Sequence, residues 1–308
     1  MAATTSFIIF IIMMSVVATT NSLPFVVFHG IADNCTDKVS IITQKLTNWS
    51  GSEGYCIEIG DGYNSSIYMP LMNQTTIACE KVKSMSELND GYNIVAISQG
   101  NMVARGLIEF CDEAPPVKNY VSFAGPQAGV ASPPCSEPEV CSKLDTLIEQ
   151  LGVYSQFVQE HLAPAGYIKI PDDIPDYLRG SEFLPKLNNE LAICRNSAYK
   201  ERFASLDNLV LIMCDQDEVL VPKETSWFGF YPEGPGWANS TVLPANETML
   251  YKENWIGLKT LVEAGKVQFV NVSGRHVEIS DSDIIKYIVP YLNGSVTLSM
   301  VESSSSSI

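Results

Sequence analysis

The sequence predicts an α/β protein built on one mainly parallel central sheet, and three observations carry that prediction. Short apolar, β-branched runs recur at 24–29, 54–58, 92–97, 117–123, 208–214 and 267–272, separated by longer polar or helical stretches. The strand pattern stops between Ala131 and Leu206, where Leu144, Leu147, Ile148, Leu151, Val153, Phe157, Val158 and Leu162 follow a mixed helical spacing. That insertion, 131–206, predicts a helical cap over the carboxyl ends of the strands, its apolar face offering room for an acyl chain. No internal repeat is visible, and 308 residues suffice for a large core in a single domain. The expected organisation is a signal peptide at 1–22, an α/β domain at 23–300 carrying the 131–206 insertion, and a disordered tail at 301–308.

The amino terminus sets the compartment. Phe7 to Val17 is an apolar run too short to span a bilayer, and Thr19-Thr20-Asn21-Ser22 supplies small polar residues for cleavage before Leu23. Its first residues lack Lys and Arg, which leaves the α-amino group as the positive charge. Sequons at Asn34, Asn48, Asn64, Asn73, Asn239, Asn246, Asn271 and Asn293 fit passage through a glycosylating lumen. Asn271, in an expected core strand, is the poorest acceptor of the eight. No transmembrane segment is expected in the mature chain.

The first strand, Leu23 to Phe28, ends in His29-Gly30-Ile31. Glycine there lets the chain approach a substrate closely, so that the next amide can point at a developing oxyanion. His29 fits a bracing role for that loop better than a role in proton transfer.

The run Tyr92 to Ile97 stops at Ser98-Gln99-Gly100. A serine on a sharp strand-to-helix turn needs small residues two before and two after it, and Ala96 and Gly100 supply them. Such an elbow exposes the Ser98 hydroxyl at the carboxyl end of a sheet and turns the first helical amides toward an incoming carbonyl. That is the geometry of acyl transfer, with the backbone N–H groups of Ile31 and Gln99 as the expected oxyanion hole.

On this kind of scaffold the acid and then the histidine follow the serine. After the strand Leu209 to Cys214 comes Asp215-Gln216-Asp217-Glu218-Val219-Leu220-Val221-Pro222, in which an acid before a short apolar run ending in Val-Pro selects Asp217, with Asp215 as the alternative. Histidine occurs three times. His161 lies in a polar helical pattern and reads as solvated. His276 follows the strand 267–272 and the loop Ser273-Gly274-Arg275, where a general base belongs.

Several segments together resemble palmitoyl-protein thioesterases: Val27 to Asp33, Gly91 to Gly100, Phe123 to Val130, Tyr154 to Gln159, Trp227-Phe228-Gly229-Phe230-Tyr231 and Gly274-Arg275-His276. The resemblance spans nearly the whole mature chain and is most specific at the Ser-Gln-Gly elbow and the Trp-Phe-Gly-Phe-Tyr segment. It implies an α/β-hydrolase that hydrolyses the thioester between a long-chain acyl group and a protein cysteine, with Ser98, Asp217 and His276 as the triad. The implied oxyanion donors are Ile31, where the family often carries Met, and Gln99. It also implies disulfides Cys79–Cys111 and Cys135–Cys141. The implied partners are S-acylated proteins or peptides in a lysosome or vacuole or outside the cell. A lipase or carboxylesterase acting on oxygen esters, or a secreted acyl-binding protein without activity, are the other readings this scaffold admits.

Eight cysteines in an exported chain favour disulfides over a metal site, since paired Cys-x-x-Cys motifs are lacking. Cys35 pairs with Cys56 if both lie at the edge of the early strands; Cys194 and Cys214 then remain, paired by subtraction or free. No metal and no cofactor is expected. The net charge of −16 argues against a nucleic-acid partner, because a polyanion would be repelled. In an acidic lumen many of those carboxylates approach neutrality, and the self-repulsion declines.

Overall fold

A computed structural model describes residues 22–134 and 138–294. The expected leader up to residue 21, Cys135 and the tail at 301–308 lie outside these residues. Six strands form one all-parallel sheet: β1 (Phe25–Phe28), β2 (Gly54–Cys56), β3 (Tyr92–Ile97), β4 (Val117–Phe123), β5 (Asn208–Cys214) and β6 (Val267–Val272). Their spatial order is β2-β1-β3-β4-β5-β6. The three central strands bury Ile94, Val121, Val210 and Ile212 completely or nearly so, as expected where helices cover both faces of a parallel sheet. This is the α/β-hydrolase fold.

One face carries α1 (Lys38–Ser50), with the late helices α12 (Asp281–Tyr287) and α13 (Val289–Leu292). Val39 and Leu46 of α1 and Ile284 of α12 close over Val27, Val95 and Phe123 there. Toward the other face lie α2 (Tyr63–Tyr68), α3 (Leu71–Ser84) and α4 (Gly100–Phe110). The segment between β4 and β5 forms α5 (Pro138–Leu151), α6 (Gln156–His161), the 3-10 turn Ala163–Tyr167, α7 (Ile174–Gly180), α8 (Leu184–Leu187) and α9 (Ser197–Ala204). Of its apolar run, Leu144, Val153, Val158 and Leu162 are buried, whereas Leu151 and Phe157 face solvent. The short helices α10 (Met249–Lys252) and α11 (Leu258–Glu263) lead into β6. No helix among the described residues is long and apolar enough to cross a membrane.

Cys35–Cys56 ties the loop after β1 to β2, and Cys79–Cys111 ties α3 to the end of α4. Cys141 is disulfide-bonded. The expected Cys194–Cys214 pair does not form: both thiols are free. Cys214 ends β5 inside the core beside Val272 and Phe123, while Cys194 sits on the exposed 3-10 turn Ala192–Cys194. A pairing reached by subtraction carries no distance information, and the fold sends these two side chains to different environments.

The sequons at Asn48, Asn64, Asn73 and Asn239 are exposed, and those at Asn34, Asn246 and Asn293 are half-buried. Asn271 corrects the expectation drawn from sequence. Its strand is apolar, yet β6 is the edge of the sheet and the Asn271 side chain faces outward.

Candidate active site

Between β3 and α4 the chain passes from strand to helix through Ser98 and Gln99 alone. Ser98 sits at φ +50°, a left-handed conformation that a residue with a Cβ rarely adopts, and so stores strain at the turn. Its backbone N–H donates to Phe123 O at 2.9 Å. The small residues flanking it have measurable reasons. Ala96 is fully buried, and a Cβ on Gly100 would fall 2.5 Å from His29 O and 2.7 Å from Phe28 O. A larger residue at position 100 would push β1 away from α4. Gly30 in turn packs on the serine: a Cβ there would lie 3.2 Å from Ser98 Cβ and 3.8 Å from its Oγ. The loop carrying Ile31 is thereby held beside the hydroxyl.

Ser98 Oγ lies 2.8 Å from His276 Nε2, and His276 Nδ1 lies 2.6 Å from Asp217 Oδ2. The carboxylate can only accept, so the ring carries its proton on Nδ1 and leaves Nε2 as acceptor for the serine. Asp217 is itself fixed, because its Oδ1 accepts the N–H groups of Val219 at 2.9 Å and Leu220 at 3.0 Å. It is 7% exposed, which shields the pair from water. The competing Asp215 does something else. Its Oδ1 accepts the Gly274 N–H at 3.1 Å, and its own N–H donates to Val272 O, so it clamps the loop that presents His276.

His29 is buried, with Nδ1 2.9 Å from Gly30 O and Nε2 3.6 Å from Glu58 Oε1. It braces the loop after β1, and its ring is hydrogen-bonded to that loop and not to the triad. His161 is exposed and stacks on Phe157 with centroids 4.3 Å apart. In the aromatic segment, Phe228 and Phe230 are buried, and Trp227 Nε1 donates to Leu211 O at 3.0 Å. Phe228 also stacks against the guanidinium of the fully buried Arg105, 5.2 Å away. That segment is packing around β5 and α4.

Three supporting residues escaped the sequence reading. The Asn101 Nδ2 group reaches Ala96 O, Ser98 O and Phe123 O at 3.2, 2.8 and 3.2 Å, lacing the strained elbow from beneath. Ser66 Oγ accepts the Ala32 N–H at 2.8 Å, while its carbonyl accepts Gln99 Nε2 at 2.5 Å. One residue of α2 thus touches the residue after Ile31 and the side chain of Gln99. Tyr167 completes the clamp, its hydroxyl donating to Gln99 Oε1 at 3.0 Å. Only the i+3 offset of Asn101 from the serine hinted at any of these in sequence.

A serine on a strained elbow, a histidine at 2.8 Å and a buried aspartate behind it, on an all-parallel sheet, define a hydrolase of the α/β-hydrolase class. The sequence model of the palmitoyl protein thioesterase family matches residues 24–276, and the chain belongs to that family. It is 37% identical to palmitoyl-protein thioesterase 1 of Caenorhabditis elegans over 279 residues, 88% of this chain and 91% of that protein. Palmitoyl-protein thioesterase 3 of Dictyostelium discoideum is 32% identical over 93% of this chain and 95% of its own length. The lysosomal thioesterase PPT2 homolog of Drosophila melanogaster is 29% identical over 80% and 83% respectively.

Proposed function

We propose that this chain is a palmitoyl-protein thioesterase that removes long-chain acyl groups from protein cysteines through an acyl-Ser98 intermediate. The observation that carries the reading is the hydrogen-bonded line from Ser98 through His276 to Asp217 in a member of this family. His276 Nε2 takes the hydroxyl proton as Ser98 Oγ attacks the thioester carbonyl, and Asp217 holds the imidazolium that results. The amides of Ile31 and Gln99 hold the oxyanion, steadied by Ser66 and Tyr167. The cysteine sulfur leaves readily, because its conjugate thiol has a pKa of ~8.5, and takes up the proton that His276 Nε2 received from Ser98, which returns the imidazole to its neutral form. Water then takes its place, gives a proton to His276 and attacks the acyl-serine; collapse returns the proton to Ser98 and releases the fatty acid.

The compartment in this reading is an acidic lumen reached through the secretory pathway. The disulfides Cys35–Cys56 and Cys79–Cys111, the apolar run Phe7 to Val17 in the sequence and the acidity of the chain support it. The 131–206 insertion serves as the lid over the acyl chain. Hydrolysis of a palmitoyl thioester and its matched oxygen ester, with Ser98→Ala alongside, tests the proposal. Serine-dependent preference for the thioester is expected; preference for the oxygen ester would move the chain to the lipases, and silence on both would make it a binding protein.

A further inference from the structure

The peptide unit between Gly30 and Ile31 carries the N–H that the mechanism above assigns to the oxyanion. A trans peptide is planar, so its C=O and its N–H point in opposite directions. Its oxygen, Gly30 O, lies 2.9 Å from His29 Nδ1, and a carbonyl only accepts, so the ring nitrogen donates. With the ring on the oxygen side, the Ile31 N–H is turned away from it and donates to no residue among those described. The next unit is held as well, at Ala32, where φ is +53° and the N–H donates to Ser66 Oγ. Gly30 needs such help. Its lack of a Cβ admits the close approach to Ser98, and the same lack lets the peptide that follows it turn over cheaply. Turned over, it would present a carbonyl oxygen where the developing negative charge needs a donor.

The buried His29 ring is gripped from its far side. Nε2 meets Glu58 Oε1 at 3.6 Å, an ion-pair distance for a ring protonated on both nitrogens, and neither atom has a hydrogen-bond partner among the described residues. Glu58 Oε2 accepts the Cys35 N–H at 2.8 Å, beside the Cys35–Cys56 bond that ties this loop to β2. Lys81 of α3 is the other charge here, its Nζ donating to Glu58 O at 2.5 Å. Gly62 leaves the carboxylate its space, since a Cβ there would fall 1.9 Å from Oε1. We propose that His29 is a positioning residue of the oxyanion hole, fixing the Gly30–Ile31 peptide with its N–H toward the reacting carbonyl, and that Glu58 acts through the ring. The inference rests on the acyl-transfer reading of Ser98, with Ile31 as a donor.

Full-length His29→Ala, His29→Asn and Glu58→Ala proteins, compared with wild type, test it on two probes: a palmitoyl thioester and hexadecyl trifluoromethyl ketone. Ser98 Oγ adds to the ketone carbon, His276 takes the hydroxyl proton, and the ketone oxygen becomes an oxyanion in the hole. His29→Ala is expected to lower kcat about 100-fold with KM nearly unchanged, and to weaken ketone binding by the same factor. His29→Asn carries an amide N–H near the place of Nδ1 and should recover kcat to within about tenfold of wild type. Glu58→Ala should cost about tenfold in both readouts, and it decides alone if His29→Ala does not fold. Wild-type values in His29→Ala or Glu58→Ala, an equal loss in His29→Asn and His29→Ala, or a loss confined to KM would overturn the inference and leave the thioesterase reading standing. Wild-type protein that binds the ketone but spares the thioester would sink that reading instead, and ketone affinity across the variants would then decide the role of His29.

Discussion

At the scale of single residues, the site depends on side chains that have no chemistry of their own. Ser98→Ala should lower thioester turnover by about 10⁴-fold or more and leave the melting temperature close to wild type, since the hydroxyl has one partner. Asp217→Asn should cost about 10⁴-fold through the wrong imidazole tautomer. Ser66 offers a subtler test, because its hydroxyl and carbonyl hold both sides of the proposed oxyanion hole. Ser66→Ala is expected to reduce kcat by about 10–100-fold with little change in KM. The substitution also abolishes the Asn64 sequon, so Asn64→Gln serves as the control, and normal turnover by both variants would remove Ser66 from the positioning machinery.

At the scale of elements, β3, β4, β5 and β6 match the ranges read from sequence residue for residue, while β1 and β2 are shorter at their ends. In β5, covered on both faces, Leu209 to Cys214 is an unbroken buried apolar run, so the limits of the strand are nearly those of the run. The triad was legible for a related reason: the elbow's steric demand leaves a trace at Ala96 and Gly100. Asn101 left only its offset from the serine, and Ser66 and Tyr167 left none, since a polar residue on a helix looks the same whether it faces water or a buried carbonyl. Asn271 was misread because one strand's sequence does not tell whether a neighbour lies beyond it. The cysteines give two checks. Replacing Cys79 and Cys111 together by Ser should cost about 2–4 kcal/mol in unfolding experiments, because the bond closes a 32-residue separation between α3 and α4. A thiol reagent should meet Cys194 at once and Cys214 only on unfolding, as burial pushes the Cys214 thiol up to about 12. Protection of Cys194 in the native protein would contradict the arrangement.

At the scale of the whole molecule, the fully buried Arg105–Glu109 pair links α4 to α8 and the loop at Gln127. Burial pushes the Glu109 carboxyl up to about 7 from an ordinary 4.5, against the pull of Arg105. Between those values the folded chain retains a proton that the unfolded chain has lost, so this group's contribution to stability falls as pH rises from about 4.5 toward 7. Glu109→Gln should remove that slope. Thermal unfolding at pH 5 and pH 7 should show the variant gaining on wild type at the higher pH, and a gain at the lower pH would contradict the assignment. The sign agrees with the acidic lumen proposed above.

The hydrogen bond between Ser98 and His276 spans 178 residues of chain. During synthesis the serine is in place long before the last strand, β6, exists to deliver its partner. Parallel pairings at such separations are late and slow steps of folding, because loop closure must precede any reward. A nascent or truncated chain lacking β6 therefore carries the nucleophile without the means to activate it. The enzyme cannot act on acylated proteins around it until its own assembly is complete, and recovered activity in a refolding experiment should trail the return of helical signal.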